Sequence, residues 1–113
     1  MILKEIVEKL ELEVLTAKDM LDLEVTNGYT SDLLSDVMAN TKEGNLWITL
    51  QIHPNIVAVA KLKELCGIII VNKRQPEEET IKKSEEEKVP ILRTEDSAFT
   101  ISGKIYGFIE PKE

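Results

Sequence analysis

Aromatic residues supply only 4% of this 113-residue sequence, and it contains one cysteine and one histidine. So few aromatics leave no platform on which bases or sugars could stack. A single cysteine cannot close an intramolecular disulfide, which fits a reducing compartment. Positive charge is also short. Fourteen basic against twenty-one acidic residues give a net charge of −7, a surface that repels phosphate backbones and anionic lipid. No apolar run is long enough to span a bilayer. The opening segment MILKEIVEKL has Lys4, Glu5, Glu8 and Lys9 where a signal peptide needs an apolar core. Also missing are G-x-x-x-x-G-K-[ST], G-x-G-x-x-G, C-x-x-C, G-x-S-x-G and H-E-x-x-H. Triphosphate hydrolysis, dinucleotide redox chemistry and zinc hydrolysis thus lack their usual parts. The expectation is a soluble, acidic, cytoplasmic domain that is not an enzyme, uses no cofactor and binds neither nucleic acid polymer nor membrane.

What is present is organised around residues 46–81, LWITLQIHPNIVAVAKLKELCGIIIVNKRQPEEETI, which reads as strand, loop, helix, strand, loop, helix. Ahead of it, Ile2, Leu3, Ile6, Val7 and Leu10 repeat at helical spacing, and Leu12 and Val14 switch the period to that of a strand. A second alternation sets Leu21, Leu23 and Val25 against Asp22, Glu24 and Thr26. It predicts an edge strand with one wet face, broken by Asn27-Gly28. Ser31 is placed to cap a helix with Asp32 in its first turn. That helix carries an apolar stripe of Leu33, Leu34, Val37 and Met38, and Asn40 closes it in the left-handed conformation.

Within the central stretch, Pro54 suits the first position of a helix and Gly67 its left-handed terminus, while IIIV reads as a strand buried on both faces. Pro76 opens the next helix, with Glu77, Glu78 and Glu79 at its positive end. Apart from Ile81 and Val89 that helix is polar, so it should be the most exposed. Pro90, Ile91 and Leu92 start a short last strand. Thr94, Glu95 and Asp96 open a final helix carrying Phe99, Ile101, Ile105 and Tyr106, ended by Gly107, with 108–113 as a frayed tail. The alternation predicts one α/β domain over residues 1–113, a mostly parallel sheet with right-handed crossovers and flanking helices. Ile56, Val57, Ala58, Val59, Ala60, Leu62 and Leu65 give the 54–65 helix more apolar surface than one sheet-facing stripe needs. It therefore wants a second partner, another helix or a second subunit, and a homodimer is expected.

The candidate site lies at the carboxyl ends of the strands, where ligands bind in open α/β sheets. In a strand over 46–53, Thr49, Gln51 and His53 share a face with Trp47 and grow more polar toward the end. Either they are simply hydrated or they line a polar pocket or interface. His53 is the residue type suited to general acid–base work, but no nucleophile has a recognisable context and no second histidine exists to build a metal site. Cys66 reads as buried core. Lys73 and Arg74, beside a helix start, form a possible anion site, set against a solvated loop in which they pair with Glu77 and Glu78. The candidate ligand-binding residues are thus Thr49, Gln51, His53, Asn55, Asn72, Lys73 and Arg74, with no catalytic or metal residues. An acidic ligand group would sit between the 53–55 turn and the 72–74 loop.

From about Val25 onward, GYTSDLLSDVMAN, LWITLQIHPNIVAVAKL and GIIIVNKRQPEEETIKKSEEEKVPILRTEDSAFTISGKIYG together resemble the DRTGG domain family. That family includes accessory domains of long phosphotransacetylases and of some CBS-domain pyrophosphatases, as well as free-standing small proteins. In fold it is similar to the amino-terminal domain of HPr kinase/phosphorylase. Here His53-Pro54 stands where the family has its Asp-Arg pair, and Val71-Asn72-Lys73 where Thr-Gly-Gly follows the buried strand. The resemblance implies an α/β regulatory or oligomerisation module, typically dimeric, with no catalytic residues to carry over. Its partners would be a small anionic metabolite, a nucleotide or a metabolic enzyme.

Overall fold

The computed structural model describes residues 1–109. Along the chain run α1 (Leu3–Leu10), β1 (Glu13–Val14), β2 (Asn27–Thr30), α2 (Leu34–Asn40) and β3 (Asn45–Thr49). They are followed by α3 (Asn55–Leu62), β4 (Gly67–Ile70), α4 (Glu78–Glu87), β5 (Ile91–Arg93) and α5 (Ala98–Ile109). The strands form one sheet in the order β1-β5-β4-β3-β2. β2 to β5 are mutually parallel, and only β1, paired to β5, is antiparallel. Because β2, β3, β4 and β5 lie side by side in chain order, every crossover steps in the same direction. Crossovers of one hand then place α2, α3 and α4 on the same face. The opposite face is covered by α1 and α5.

Strand alternation divides the core between these faces. Leu46, Ile48, Ile69, Val71 and Leu92 pack with Leu3 and Ile6 of α1 and Ile101 and Ile105 of α5. Trp47, Ile68, Ile70 and Ile91 pack with Val37, Ile56, Val57, Val59 and Ala60 on the other side. Every residue of β3 and β4 is buried, as the IIIV run requires of a strand covered on both faces. The surplus apolar surface of α3 is taken up within the chain, since α3 packs on the sheet and also against α2 and α4. Ala58 and, at the helix end, Leu62 (65%) are left exposed.

Several local expectations are corrected. Segment 21–26 is not a sheet strand. The carbonyls of Leu21 and Leu23 accept the N–H groups of Lys4 (2.8 Å) and Leu3 (2.9 Å), donors that a helix start leaves unpaired. The strand is the next segment, with Asn27-Gly28 inside it and the Asn27 side chain accepting the Gly28 N–H at 2.7 Å. Strand β3 ends at Thr49, so 50–53 is loop. In α2 only Val37 is fully buried, while Leu33 is 63% exposed. Ser31 does not cap this helix; Leu33 occupies the cap position and Ser31 Oγ accepts its N–H at 3.2 Å. Asn40 stays helical, with the extended Thr41 closing α2. Pro54 is the cap residue of α3 rather than its first helical residue. After α3 the left-handed residue is Glu64 (φ 54°), not Gly67, which begins β4. Pro76 lies ahead of Glu77, the cap of α4. Gly107 falls inside α5, which runs through residues 108 and 109 of the expected tail; the rest of that tail lies outside the described residues.

Cys66 is core, as expected, and burial pushes its thiol up to about 11. Gly67 is favoured by close packing rather than by backbone freedom. A Cβ there would come within 3.3 Å of both Leu3 Cδ2 and the Pro90 carbonyl. Gly44 does need its freedom, with φ at +82° and a Cβ position 2.8 Å from Thr26 Cγ2. Gly67→Val should therefore destabilise the fold by roughly 1–3 kcal/mol through overpacking. His53→Ala removes an exposed imidazole whose Nδ1 accepts the Asn55 N–H at 3.1 Å, a cap worth about 1 kcal/mol or less. Urea melts should rank the two variants in that order; the reverse order would make His53 a structural hub.

Candidate functional site

The carboxyl edge of the sheet is where the chain leaves four parallel strands, so unpaired backbone groups gather there. At the β2–β3 end they are met by Asp32. Its Oδ1 accepts the Thr49 hydroxyl at 2.9 Å and the Leu50 N–H at 2.8 Å. The Asp32 carbonyl accepts Gln51 Nε2 at 2.8 Å, and Thr49 Oγ1 accepts the Gln51 N–H at 3.1 Å. Thr49 and Gln51 are both engaged in hydrogen bonds within the chain. They lash the end of β3 to the β2–α2 loop. Sequence reading placed Asp32 in the first turn of a helix; its actual use depends on β2 lying beside β3.

His53 stays exposed and its Nδ1 is engaged at the start of α3. The neighbouring Ile52 carbonyl accepts the Glu77 N–H at 3.2 Å and the Thr80 hydroxyl at 2.6 Å, seating the 53–55 turn against the start of α4. Arg74 reaches the loop that leaves β3, its Nη1 donating to the Leu50 carbonyl at 2.7 Å. Lys73 reaches the other way, toward β5, with Nζ 3.8 Å from Glu95 Oε1. The two adjacent cations thus serve opposite sides of β4, and neither pairs with Glu77 or Glu78.

Asn72 and Lys73 both adopt left-handed backbone, with φ of 59° and 55°. This is the position where the resemblance places Gly-Gly. The conformation turns the Asn72 and Lys73 N–H groups onto the carbonyls of Asp96 (3.0 Å) and Thr94 (2.8 Å), tying the β4 exit to the β5 exit. Asparagine visits this region readily, whereas lysine incurs the steric penalty of its Cβ.

The β4 and β5 exits differ in one consequential way. From β4 the chain continues into α4 on one face of the sheet, and from β5 into α5 on the other. Adjacent parallel strands whose connections leave to opposite faces open a crevice between them, the topological switch point of an α/β sheet. A cleft of about 320 Å³ lies here, lined by Lys73, Arg93, Thr94, Glu95, Asp96 and Lys104, with Glu11 and Glu13 on its far wall. Its three cations come from three elements. Arg93 contacts Glu13 Oε1 at 2.6 Å, Lys104 contacts Asp96 Oδ2 at 2.9 Å, and Lys73 has the long contact to Glu95. Of the expected ligand residues only Lys73 lines this cleft. Arg93 and Lys104 escaped sequence reading because β1–β5 pairing and the direction of α5 bring them here. Among the described residues no cluster of His, Cys, Asp or Glu could hold a metal ion, and no helix is long and apolar enough to cross a membrane.

Two substitutions separate support from strain at this edge. Asp32→Ala leaves the buried Thr49 hydroxyl and the Leu50 N–H without their acceptor and should cost about 1–3 kcal/mol in chemical denaturation. A loss below about 0.5 kcal/mol would mean that water replaces the carboxylate. Lys73→Gly relieves the left-handed penalty against the extra freedom glycine has when unfolded, so stability should rise by up to about 1 kcal/mol. A measured decrease would mean that the lysine side chain, not the backbone, holds this loop.

The sequence matches the family model described as DRTGG domain over residues 5–108, beginning ahead of Val25. Among solved structures the chain is similar to the CBS and DRTGG domains of the regulatory region of Clostridium perfringens pyrophosphatase, crystallised with an activator, diadenosine tetraphosphate. The TM-score is 0.67 at 16% identity, over 89% of this chain and 44% of that one. The present chain thus spans less than half the length of that regulatory region. No curated protein matches the sequence. With nearly its whole length covered by the family model, the chain belongs to the DRTGG domain family.

Proposed function

We propose that this chain is a non-enzymatic, cytoplasmic regulatory module, homodimeric, which binds a small anionic metabolite or nucleotide or docks on a metabolic enzyme. The observation that carries the ligand reading is the convergence of Lys73, Arg93 and Lys104 on one cleft at the switch point between β4 and β5. Lys73 is the cation most open to exchange. Its contact with Glu95 is long and both side chains are largely exposed, an arrangement worth little by itself. A ligand carboxylate or phosphate can replace Glu95 there and draw on Lys104 behind it. The pyrophosphatase regulatory region is complexed with a dinucleotide activator, which supports including nucleotides among the candidates. Thr49, Gln51, His53 and Asn55 are then framework for the edge, while Asn72 and Arg74 hold the loop that presents Lys73.

A second reading, a purely structural interaction subunit without a small ligand, is favoured by the carboxylate that each of the three cations already faces. A thermal-shift screen of nucleotides, acyl phosphates and carboxylates separates the two. A ligand at a hundred times its Kd stabilises the native state by about 2.7 kcal/mol. Lys73→Ala and Lys104→Ala should each weaken such binding by about tenfold or more, and Arg74→Ala should change stability more than affinity. No shift across the screen would favour the structural subunit, and unchanged affinity in both lysine variants would place the ligand elsewhere.

A further inference from the structure

The largest apolar side chains left in solvent are concentrated on α5. Phe99 is 90% exposed and Tyr106 62% exposed, although Ile101 and Ile105 of the same helix are fully buried. At helical spacing Phe99, Gly103 and Tyr106 lie on one outward stripe, with Gly107 beside it. Among the described residues a Cβ placed at Gly103 or Gly107 would have nothing within 4 Å, so packing against them does not call for glycine at either position. Yet each glycine inside a helix costs close to 1 kcal/mol relative to alanine. We propose that this outward face of α5 is the surface through which two copies of the chain associate, across a two-fold axis near Gly103. The proposal rests on the dimeric reading above and names its interface.

Three features favour a second copy as the occupant. The first is self-complementarity. In an antiparallel α5 pair centred on Gly103, Phe99 of one copy falls opposite Gly107 of the other, a bulky knob against an empty site, and the relation repeats across the axis as an isologous interface demands. The second is charge. The chain carries −7 overall, so two copies repel unless they meet where carboxylates are absent. The α5 sequence AFTISGKIYGFI has no acidic residue and a single lysine, whereas exposed helix α4 carries five glutamates in EETIKKSEEE. The third is area. An aromatic side chain buries roughly 150–250 Å², so Phe99 and Tyr106 supply about 300 Å² per copy. That is a fair share of the roughly 800 Å² per partner in a stable interface, with aromatic anchors at its centre as such interfaces have. Edge strand β2 runs alongside, its Thr30 hydroxyl 2.7 Å from Ser102 Oγ, and extends the same surface.

The test is sedimentation or light scattering of the intact chain at micromolar concentration, with Phe99→Glu and Gly103→Glu beside the wild type. Both positions are exposed, so both variants should fold, as circular dichroism will register. The expected result is a dimeric wild type and folded variants whose dimer dissociation constant rises by about tenfold or more. A wild-type monomer overturns both the interface and the dimeric reading. A wild-type dimer that persists unchanged in both variants overturns the α5 interface alone. Crosslinking answers the same question should a variant misfold. In a Cys66→Ser background, Gly103→Cys should oxidise to a covalent dimer while Lys83→Cys on α4 does not. Failure of Gly103→Cys to crosslink in a protein that sediments as a dimer rejects the two-fold placement.

Discussion

Two-sided burial of β3 and β4 is the constraint on which the rest of this structure depends. A parallel strand with helices on both faces has no solvent to fall back on, so each of its backbone groups must pair along the sheet. Asn45–Thr49 and Gly67–Ile70 meet that demand by lying in the middle of the sheet, flanked by β2 and β5. The requirement extends outward. Gly67 leaves little room for a side chain, because Leu3 of α1 and the Pro90 carbonyl would each lie 3.3 Å from its Cβ. α3, apolar nearly all round, can be so because α2 and α4 complete the enclosure that the sheet begins.

From the same topology comes the site. A sheet wound steadily in one direction places successive helices on a single face and makes no crevice between neighbouring strand ends. The crevice arises only where the winding stops, at the transition from α4 on one face to α5 on the other. It is held open by a loop whose conformation is unfavourable for one of its residues. The left-handed Asn72-Lys73 pair turns two N–H groups onto the β5 exit, giving up local backbone energy for a fixed relation between the strand ends. Strain of this kind persists when the surroundings over-determine it, and here the two cross-loop hydrogen bonds do so.

Polar residues at the strand ends divide into two kinds that look alike in a sequence. Thr49, Gln51 and Asp32 satisfy one another and the backbone, and no buried side-chain nitrogen or oxygen among the described residues lacks a partner. Arg93 is fixed by Glu13 and by the Gln75 side chain, and Lys104 by Asp96, whereas Lys73 has only a long contact to an exposed glutamate, the pair whose exchange costs least.

The sequence by itself determined the fold class and the family. The period of the apolar residues outside 21–26 and the continuous run at Ile68, Ile69 and Ile70 are local signals set by strand and helix geometry, and they held. Also legible were the loops at the carboxyl edge and Lys73 as a residue of interest. Boundaries and caps were less so: Ser31, Asn40, Gly67 and Gly107 each suit a helix end by local propensity, and none of them ends its helix here. Only the tertiary structure decided that Leu21 to Val25 serves α1 instead of the sheet. It also decided that Asp32 clamps β3, and that Arg93 and Lys104 join Lys73 in one cleft. Those relations depend on which strand lies beside which and on the face each helix takes. Strand order and helix side are settled by burial summed over the whole chain, and no short stretch of sequence carries that sum.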